Sequence, residues 1–426
     1  MAQLIPFRAV RYQSDHIGDL GQVIAPPYDV ISPQQQDALY QRSPHNVIRL
    51  ELAHARAGAG HASRYQAAAE TFHQWLSGGI LAQDERPALY LYRQAYRLAG
   101  EQPHRTGVFG LVELEPWATG CVRPHEGTLS APKADRLELM RACRANFSPV
   151  LGMFRDPTGQ AGQVISDAAS AEPLVRAADT ERGEHTLWAI TDQQQIAALQ
   201  AVLADQPIYI ADGHHRYETA LAFRDEMRKV LSDAPATAAF NYVLMLLVST
   251  DDPGLVILPT HRVVFDLTDQ MVDRLNEQIE QHFEVEERPF SAATRHEEAH
   301  GVMRTLSQAC ACGCFALYLG NGRYQILTCK QPLAEGVHDV TTLHTLLIEP
   351  TLGQTGPNEG RIVYLTDEEA AARMVDEAPG RAAFFLNPTT IEQVQRAADA
   401  GQRLPGKSTY FYPKVPTGLV INKLDP

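Results

Sequence analysis

The sequence lacks the features that would place the chain in a membrane or on nucleic acid. No apolar run approaches the length of a transmembrane helix, and the longest, Tyr242 to Val248, has the length of a strand. The first residues show no charged region followed by an apolar one, so we expect no secretory signal and a cytoplasmic protein. Basic residues are in deficit, 37 against 51 acidic, and a net charge of −14 disfavours nucleic acid as a partner.

Cysteine is scarce, with six residues in the chain, and in a reducing compartment we expect free thiols. Cys310, Cys312 and Cys314 form a C-x-C-x-C pattern, with Cys329 nearby. Zinc motifs usually space paired cysteines by two or more residues, and the alternation of a strand would also place these three on one face. We therefore assign no metal ligand.

Two common catalytic motifs are also missing. A Gly-x-Ser-x-Gly elbow and a Gly-x-Gly-x-x-Gly after a strand are both absent, which disfavours a serine hydrolase and a dinucleotide-binding enzyme. We also expect no helix of the zincin type, His-Glu-x-x-His. Residues 401–408 do match the phosphate motif G-x-x-x-x-G-K-[ST]. However, a P-loop follows a strand and opens a helix, whereas here a helical pattern precedes the match and an extended, proline-interrupted segment follows it. We interpret the match as accidental, although Lys407, Ser408 and Thr409 have the chemistry to contact a phosphate.

The length of 426 residues exceeds what one core usually supports, so we expect more than one subdomain. Strand and helix patterns are interleaved over residues 1–265, among them a strand over Val47–Leu52 and a helix over Asp135–Ala145. Residues 266–426 predict a smaller α+β unit, which includes a hairpin across Gly320-Asn321-Gly322. The predicted fold class is therefore α/β to α+β, with mixed sheets and interleaved helices.

The most informative segment is Asp212–Arg216, with the sequence Asp-Gly-His-His-Arg between a short apolar strand and an amphipathic helix. Asp212 is suited to cap that helix, and Gly213 permits a backbone geometry that other residues resist. A helix start offers amide groups and a positive dipole end to an anion, and the histidines and the arginine add donors for phosphate oxygens. We predict a phosphate-handling site; the alternative is a solvated pair of histidines with Arg216 bound to Asp212 or Glu218.

A second polar cluster combines His125-Glu126-Gly127-Thr128 with Lys133, Asp135 and Arg136. Glu126 is a candidate general base, and Lys133 and Arg136 are candidate phosphate clamps. The alternative is a solvated loop in which Asp135 caps the following helix.

Two further segments carry polar side chains beside prolines. Ala25–Ile31 contains a Pro-Pro pair followed by Tyr28 and Asp29, and Pro259–Arg262 lies within a strand-like run. A rigid structural turn and a core or edge strand, respectively, are the alternative interpretations.

These motifs, in this order, resemble the bacterial and archaeal family known as domain of unknown function 1015. The resemblance spans nearly the whole chain and is carried by Ala25–Ile31, Asn46–Leu50, His125–Thr128, Lys133–Arg136, Asn146–Pro149, Ala211–Tyr217, Leu258–Arg262 and Pro405–Lys414. The Asp-Gly-His-His-Arg element also resembles the ParB/sulfiredoxin-like group, which includes a free-serine kinase whose corresponding turn cradles nucleotide phosphates. This second resemblance implies a ParB/sulfiredoxin-like phosphate-binding element. The family's association with serine-biosynthesis genes implies serine or phosphoserine as the substrate.

The resemblance and the residue chemistry together predict a serine-kinase-like phosphotransferase that interconverts serine and O-phosphoserine with an adenine nucleotide, or that acts physiologically as a phosphoserine phosphatase. Phosphoryl transfer needs positioning and charge neutralisation, which these residues can supply. The cofactors that the resemblance implies are Mg²⁺ and ATP or ADP. The predicted catalytic residues are Asp212, His214, His215, Arg216 and Glu126. The predicted phosphate- or substrate-binding residues are Gly213, Lys133, Asp135, Arg136, His125, Tyr28, Asp29, Lys407, Ser408 and Thr409.

Two other functions stay open. One is a non-enzymatic, ParB-like nucleotide-binding switch, and the other is a metal-dependent phosphate-ester hydrolase that uses His125, His214, His215 and His261. Every assignment assumes that residues 125–136, 212–216 and 407–414 converge. We expect the region 1–265 to carry the first two clusters and the region 266–426 to return Lys407–Lys414 to the site. The reaction direction and the oligomeric state stay open, a homo-oligomer included.

Overall fold

The computed structural model describes residues 3–55, 60, 62–179, 183–204, 206–291, 293–309, 313–333, 336–353 and 360–425. The chain divides into two compact units. Unit 1 comprises Met1–Pro124, Thr128–Val256 and Pro413–Pro426, and unit 2 comprises His125–Gly127 and Ile257–Tyr412. The main segment of unit 2 thus begins after Val256, whereas the sequence predicts a boundary after residue 265. The chain returns to unit 1 at Pro413.

The secondary structure elements follow one another along the chain with few long connections. The strands are β1 (Leu4–Ile5), β2 (Val10–Tyr12), β3 (Leu81–Gln83), β4 (Leu89–Ala95), β5 (His104–Glu113), β6 (Val122–Arg123), β7 (Ala145–Asn146), β8 (Val150–Phe154), β9 (Val175–Ala178), β10 (Glu184–Ile190), β11 (Ile208–Asp212), β12 (Tyr242–Ser249), β13 (Val256–Leu258), β14 (His261–Val264), β15 (Phe283–Pro289), β16 (Cys314–Tyr318), β17 (Arg323–Cys329), β18 (Ile362–Leu365), β19 (Ala382–Phe385), β20 (Tyr410–Tyr412) and β21 (Asn422–Lys423). The α-helices are α1 (Ser14–Ile17), α2 (Pro33–Arg42), α3 (Ile48–Glu51), α4 (Ser63–Ser77), α5 (Ser130–Cys143), α6 (Gln160–Ala168), α7 (Gln193–Ala204), α8 (His214–Val230), α9 (Asp269–His282), α10 (Arg295–Gln308), α11 (Asp339–Leu343), α12 (Glu349–Leu352), α13 (Glu368–Asp376) and α14 (Ile391–Asp399).

Unit 1 is built on a mixed sheet with the strand order β6-β11-β8-β12-β5-β4-β10-β9, and β1 pairs with β5. β11 runs parallel to β6 and antiparallel to β8, and β12 runs parallel to β8. β12 is apolar and buried over almost its whole length, the pattern of a central strand covered on both faces. Val243, Met245 and Leu247 of this strand share a core with Phe223 of α8 and Leu199 of α7.

Unit 2 contains an antiparallel sheet with the strand order β15-β17-β16-β19-β14-β18. Successive residues of one strand face opposite sides of this sheet. Leu317 of β16 packs into the core that contains Leu275 of α9, whereas its neighbour Tyr318 packs into the core that contains Val302 of α10. The predicted hairpin is confirmed, since β16 pairs with β17 and Tyr318 lies opposite Tyr324.

The predicted fold class is confirmed, because helices alternate with strands of both orientations in unit 1 and unit 2 has a smaller α+β architecture. The strand predicted over Val47–Leu52 is wrong, since Ile48–Glu51 is helical. Asn46 explains the difference: its Oδ1 accepts a hydrogen bond from the Ile48 amide at 3.0 Å, and its Nδ2 donates to the carbonyls of Gln22 and Ile24. This side chain imposes a turn where branched apolar residues predict an extended chain.

Two predicted helix caps are also wrong. α5 begins at Ser130, so Asp135 lies inside the helix, and the proline at 132 is tolerated because the first turn needs no amide donor there. Asp212 is the last residue of β11, and Gly213 occupies the N-cap position of α8. The Asp212 carboxylate is bound to cationic side chains, as described below.

Cys310 and Cys312 lie outside the described residues. Cys314 lies on β16 and Cys329 ends β17, and burial raises the pKa of both thiols, that of Cys329 to about 11. The described cysteines are free thiols. Among the described helices, none combines the length and the apolarity that a membrane crossing needs.

Candidate functional site

The turn between β11 and α8 requires glycine for two separate reasons. Gly213 has a φ of +94°, in the left-handed region that side chains disfavour. A Cβ atom on this residue would lie 2.9 Å from Nε of Arg216, closer than such atoms approach. The guanidinium group therefore packs directly over the glycine, at the start of a 17-residue helix.

The Asp212 carboxylate holds two cations at this helix start. Its Oδ2 accepts a hydrogen bond from the Arg216 guanidinium, and its Oδ1 accepts one from Nζ of Lys414, about 200 residues further along the chain. Arg216 also donates to the carbonyl of Pro149. Burial lowers the pKa of Arg216, but Asp212 and Asp29 outweigh it and the pKa rises above its ordinary value. The pairing of Arg216 with Asp212 is the one that the alternative interpretation predicted, yet both side chains are largely buried and not solvated.

Arg136 forms the second fixed cation of unit 1. It donates to the carbonyl and to Oε1 of Glu51 at 2.9 and 3.1 Å, and to the carboxylate of Asp135. Its guanidinium carbon lies 4.2 Å from the ring centroid of Tyr28. Burial raises the pKa of Asp135, but the charges of Arg136 and Arg64 prevail and lower it. Arg136 is therefore held in one orientation by two carboxylates and an aromatic face.

Arg136 and Arg216 line the same cavity, together with the polar side chains of Asn146, Ser148 and Thr219. Both guanidinium groups also act electrostatically on Tyr28, whose pKa is raised by burial and by the charge of Asp29. Unit 1 thus brings together Tyr28, Asp29, Asp135, Arg136 and the Asp212–Arg216 segment, all of which the sequence predicted as site residues. It adds Lys414 as a direct partner of Asp212.

The sequence analysis missed Arg105. This residue lies on β5 and is 1% exposed, and its NH2 group donates to Oε1 of Gln94 at 2.7 Å. Its Nε and NH1 have no hydrogen-bond partner among the described residues, and burial lowers its pKa. Gln94 in turn donates to the carbonyl of Lys414, which connects Arg105 to the partner of Asp212. No sequence signal singled it out, because Arg105 stands between His104 and Thr106, ahead of the apolar part of β5.

Lys133 and His215 are engaged at the contact between α5 and α8. Nζ of Lys133, Oγ1 of Thr128 and Nε1 of Trp117 all donate to the carboxylate of Glu218, at 2.8, 2.5 and 3.1 Å. Burial raises the pKa of Glu218, but these three donors prevail and lower it. Nε2 of His215 accepts a hydrogen bond from the Leu129 amide at 2.9 Å, so its ring proton is assigned to Nδ1.

In unit 2, Glu126 organises the segment that contains Ser408 and Thr409. Its Oε1 accepts hydrogen bonds from both backbone amides, at 2.9 and 3.1 Å, and from Oγ1 of Thr409 at 3.2 Å. Nε2 of His125 lies 2.9 Å from the same hydroxyl. The preceding Lys407 has a φ of +59°, a strained value for a residue other than glycine. These contacts assign Oε1 of Glu126 to holding the turn, and its role as a base stays a prediction.

The surroundings of this turn differ from those of a P-loop. α14 precedes the 401–408 segment and β20 follows it, which is the reverse of the strand-to-helix order that a P-loop requires. The interpretation of this motif match as accidental agrees with this order.

Arg262 lies on β14 in unit 2 and is 1% exposed. It donates to the carbonyls of Thr260 and Lys407, and burial lowers its pKa to about 10. A polar cavity is lined by Arg262, Thr260 and His338. Nε of Arg262, Oγ1 of Thr260 and both ring nitrogens of His338 have no hydrogen-bond partner among the described residues. His261, a ligand in the metal-hydrolase alternative, is fully buried, and burial lowers its pKa to about 3.

The two units thus carry different parts of the predicted site, and the convergence of all three segments stays a prediction. The fold and the site define a mixed α/β protein with cationic side chains gathered at a strand-to-helix turn. The chain belongs to the family described as "Protein of unknown function (DUF1015)", whose model matches residues 4–347. The family resemblance seen in the motifs is therefore confirmed. No match was found among curated protein sequences.

Solved structures show a weak similarity. A free serine kinase in complex with AMP is 15% identical, with 75% of this chain and 91% of that chain covered and a TM-score of 0.38. A conserved hypothetical protein from Pyrococcus furiosus is 14% identical, with 74% and 95% covered and a TM-score of 0.36. SbnI with a C-terminal truncation from Staphylococcus aureus is 9% identical, with 74% and 87% covered and a TM-score of 0.34.

Proposed function

We propose that this protein is a phosphotransferase that acts on serine or O-phosphoserine with an adenine nucleotide. The observation that carries the proposal is the cation set at the start of α8, where Arg216 and Lys414 converge on Asp212 beside the backbone of Gly213. The first amides of a helix have no partner within the helix, and its positive end attracts phosphate. A phosphoryl group placed here meets fixed positive charge, which is the main requirement of phosphoryl transfer.

In this proposal, the amides of Gly213 and His214 with Arg216 bind phosphoryl oxygens, and Lys414 adds a point charge. Arg136 is fixed by Glu51 and Asp135, so it offers a planar group of known orientation next to Tyr28. Rigid cations favour the transition state because they need no reorganisation during the reaction.

Magnesium is usually held by one or two carboxylates together with substrate phosphates. Asp212 does not fit the Mg²⁺ that the resemblance implies, because its two oxygens are bound to Arg216 and Lys414. We therefore assign the charge neutralisation on the phosphoryl oxygens to these two cations. The Arg216 and Lys414 contacts keep the carboxylate of Asp212 at the helix start.

The test is to incubate the protein with O-phosphoserine and Mg²⁺, with and without ADP, and to measure serine, free phosphate and ATP. Serine with ATP supports a reversible kinase, and serine with free phosphate and no need for ADP supports the phosphatase direction. Absence of serine in both reactions would contradict the proposal. Binding of ATP, ADP or CTP without turnover would then favour the nucleotide-binding switch.

The matched variants are Arg216→Ala and Lys229→Ala, at opposite ends of α8. We expect Arg216→Ala to lose at least about a hundredfold in turnover, because a phosphate clamp acts in the transition state. Lys229 lies exposed in the last turn of the helix, so its variant should keep full activity. Equal activity of the two variants would remove Arg216 from the site.

A further inference from the structure

Helix α10 begins with a pattern of metal ligands. Residues 296–300 read His-Glu-Glu-Ala-His, which matches His-Glu-x-x-His. The expectation that the chain has no helix with this motif is therefore wrong, and the sequence analysis assigned no metal ligand here. The four-residue spacing places His296 and His300 on the same face of a helix, one turn apart. Their ring centroids lie 4.5 Å apart.

A carboxylate from a different helix completes the group. Glu369 lies in the first turn of α13, and its Oε1 contacts Nδ1 of His296 and lies 3.6 Å from Nε2 of His300. One ligand atom from each of the three residues falls within 4.8 Å of the other two. The neighbouring Glu368 lies 2.9 Å from Nδ1 of His300. Arg373 is the nearby cation, at 3.5 Å from Oε2 of Glu369.

We propose that His296, His300 and Glu369 bind a divalent transition metal ion, with Zn²⁺ the expected occupant, and that the ion joins α10 to α13. Two imidazole nitrogens and one carboxylate oxygen form a ligand set that zinc uses in proteins, with water in the remaining position. The hard cations Mg²⁺ and Ca²⁺ prefer all-oxygen sites, so they should bind this group poorly.

The position of the three ligands in unit 2 would let one bound ion hold two helices together. α10 and α13 pack on the same face of the sheet, where Val302 and Ala371 share one core. A second cross-helix contact, the ion pair between Arg295 and Asp376, shows that the two helices already face each other beyond the proposed ligands. Both elements that supply ligands are therefore fixed before an ion arrives, which lowers the entropic cost of binding.

The solvent exposure of the ligand side chains distinguishes this site from the catalytic centre of a peptidase with the same motif. The side chains of His296 and His300 are 72% and 45% exposed, so an ion can enter directly from solvent. Catalytic zinc acts in a site that is shaped and largely closed to water. Glu297, the position of the base in such enzymes, is not part of the three-residue group. The inference concerns metal binding and the joining of two helices, and it does not depend on the proposed phosphotransferase activity.

The test is titration of Zn²⁺ into full-length protein without a polyhistidine tag, followed by calorimetry. Co²⁺ serves as a spectroscopic probe, because its visible absorption reports nitrogen ligands in a four-coordinate site. We expect one ion per chain. His300→Gln and Glu369→Gln, which remove one ligand from each helix, should each weaken binding at least tenfold.

Two matched controls sharpen the result. His282→Gln removes a histidine of α9 in the same unit, and Glu297→Gln changes the motif without touching the three ligands. Both should bind Zn²⁺ as the wild type does. Unchanged affinity in both ligand variants, or the absence of 1:1 binding in the wild type, would overturn the proposal. Because all three ligand side chains reach solvent, these variants are expected to fold, and circular dichroism checks that they do.

Discussion

Two buried arginines at the candidate site of unit 1 and one beside a cavity in unit 2 are paired in opposite ways. In unit 1, Arg136 and Arg216 each bind a carboxylate directly, and their pKa values are raised because those charges outweigh burial. In unit 2, Arg262 is as deeply buried but donates only to carbonyls among the described residues, and burial lowers its pKa to about 10. The first arrangement fixes cations with their counter-charges in place. The second leaves N–H groups beside a polar cavity without a counter-charge within ion-pairing distance among the described residues.

The largest expected loss of stability comes from removing Arg136, whose charge is balanced by carboxylates. Arg136→Met would leave Glu51 as a buried carboxylate without its cation and Asp135 with Arg64 alone, and this should cost about 3–5 kcal/mol of the free energy of unfolding. Arg262→Met removes two hydrogen bonds to carbonyls and no ion pair, so about 1–3 kcal/mol is expected. Denaturant unfolding of both variants measures the difference. Equal losses would show that charge compensation does not distinguish Arg136 from Arg262.

A smaller loss of stability is expected from replacing the glycine at the strand-to-helix turn of the candidate site. Gly213 and Gly159 both occupy N-cap positions with positive φ, at the start of α8 and α6. Gly159→Ala meets no atom within 4 Å, so only the left-handed conformation opposes it, at about 1–2 kcal/mol. Gly213→Ala adds a clash with Arg216. It should therefore cost more stability and also reduce O-phosphoserine turnover, whereas Gly159→Ala should leave turnover unchanged. Equal stability losses with intact turnover would argue against a tight turn.

The two units should also lose stability in different pH ranges. Burial lowers the pKa of His261 to about 3 and that of His344 to about 4, below the ordinary value of about 6.5. At pH values between the lowered and the ordinary pKa, these histidines bind protons in the unfolded chain but not in folded unit 2. The free energy of unfolding therefore falls as the pH drops below about 6.5. The stabilisation from Asp135, whose pKa is lowered despite burial, is present above about pH 3.9 and is lost only at lower pH.

This difference is checked by thermal unfolding between pH 7 and 3. The unfolding temperature of the wild type should fall from pH 7 to pH 5, and His261→Gln should show a smaller decrease over that interval. Asp135→Asn should lower the unfolding temperature throughout the range above about pH 4, and its difference from the wild type should shrink at lower pH. A wild-type unfolding temperature that is level between pH 7 and pH 5 would contradict the assignment of a neutral, buried His261.

The smallest effect is expected where the charges reach solvent. The side chains of Lys133 and Glu218 are 36% and 22% exposed, so their ion pair is screened. Lys133→Gln should change the free energy of unfolding by less than about 1 kcal/mol, measured under the same conditions as the arginine variants. A loss of stability comparable to that of Arg136→Met would show that the Lys133–Glu218 ion pair contributes as much as the buried ion pairs of Arg136.

Local patterns predicted the local parts of this molecule. The strand and helix around Asp212–Arg216 follow from an apolar run and a helical repeat, and the hairpin of β16 and β17 follows from its Gly-Asn-Gly turn. Partners distant in sequence could not be predicted in this way. Nothing near Asp212 indicates that Lys414 binds it, and nothing in the His-Glu-x-x-His segment indicates that Glu369 lies opposite. Arg105 was missed because it stands among polar residues at the start of β5, and the strand predicted over Val47–Leu52 was wrong because Asn46 bonds to backbone more than 20 residues earlier.

The last residues of the chain close the first unit. β21 pairs with β7, Ile421 pairs with Val10, and Leu424 belongs to the core that contains Ile210. Because a ribosome delivers the chain from its amino end, unit 1 stays incomplete while all of unit 2 is being made. The bond between Lys414 and Asp212 thus forms only after unit 2 has been made. A nascent chain that stops before residue 414 carries the Asp-Gly-His-His-Arg turn without the lysine that completes it.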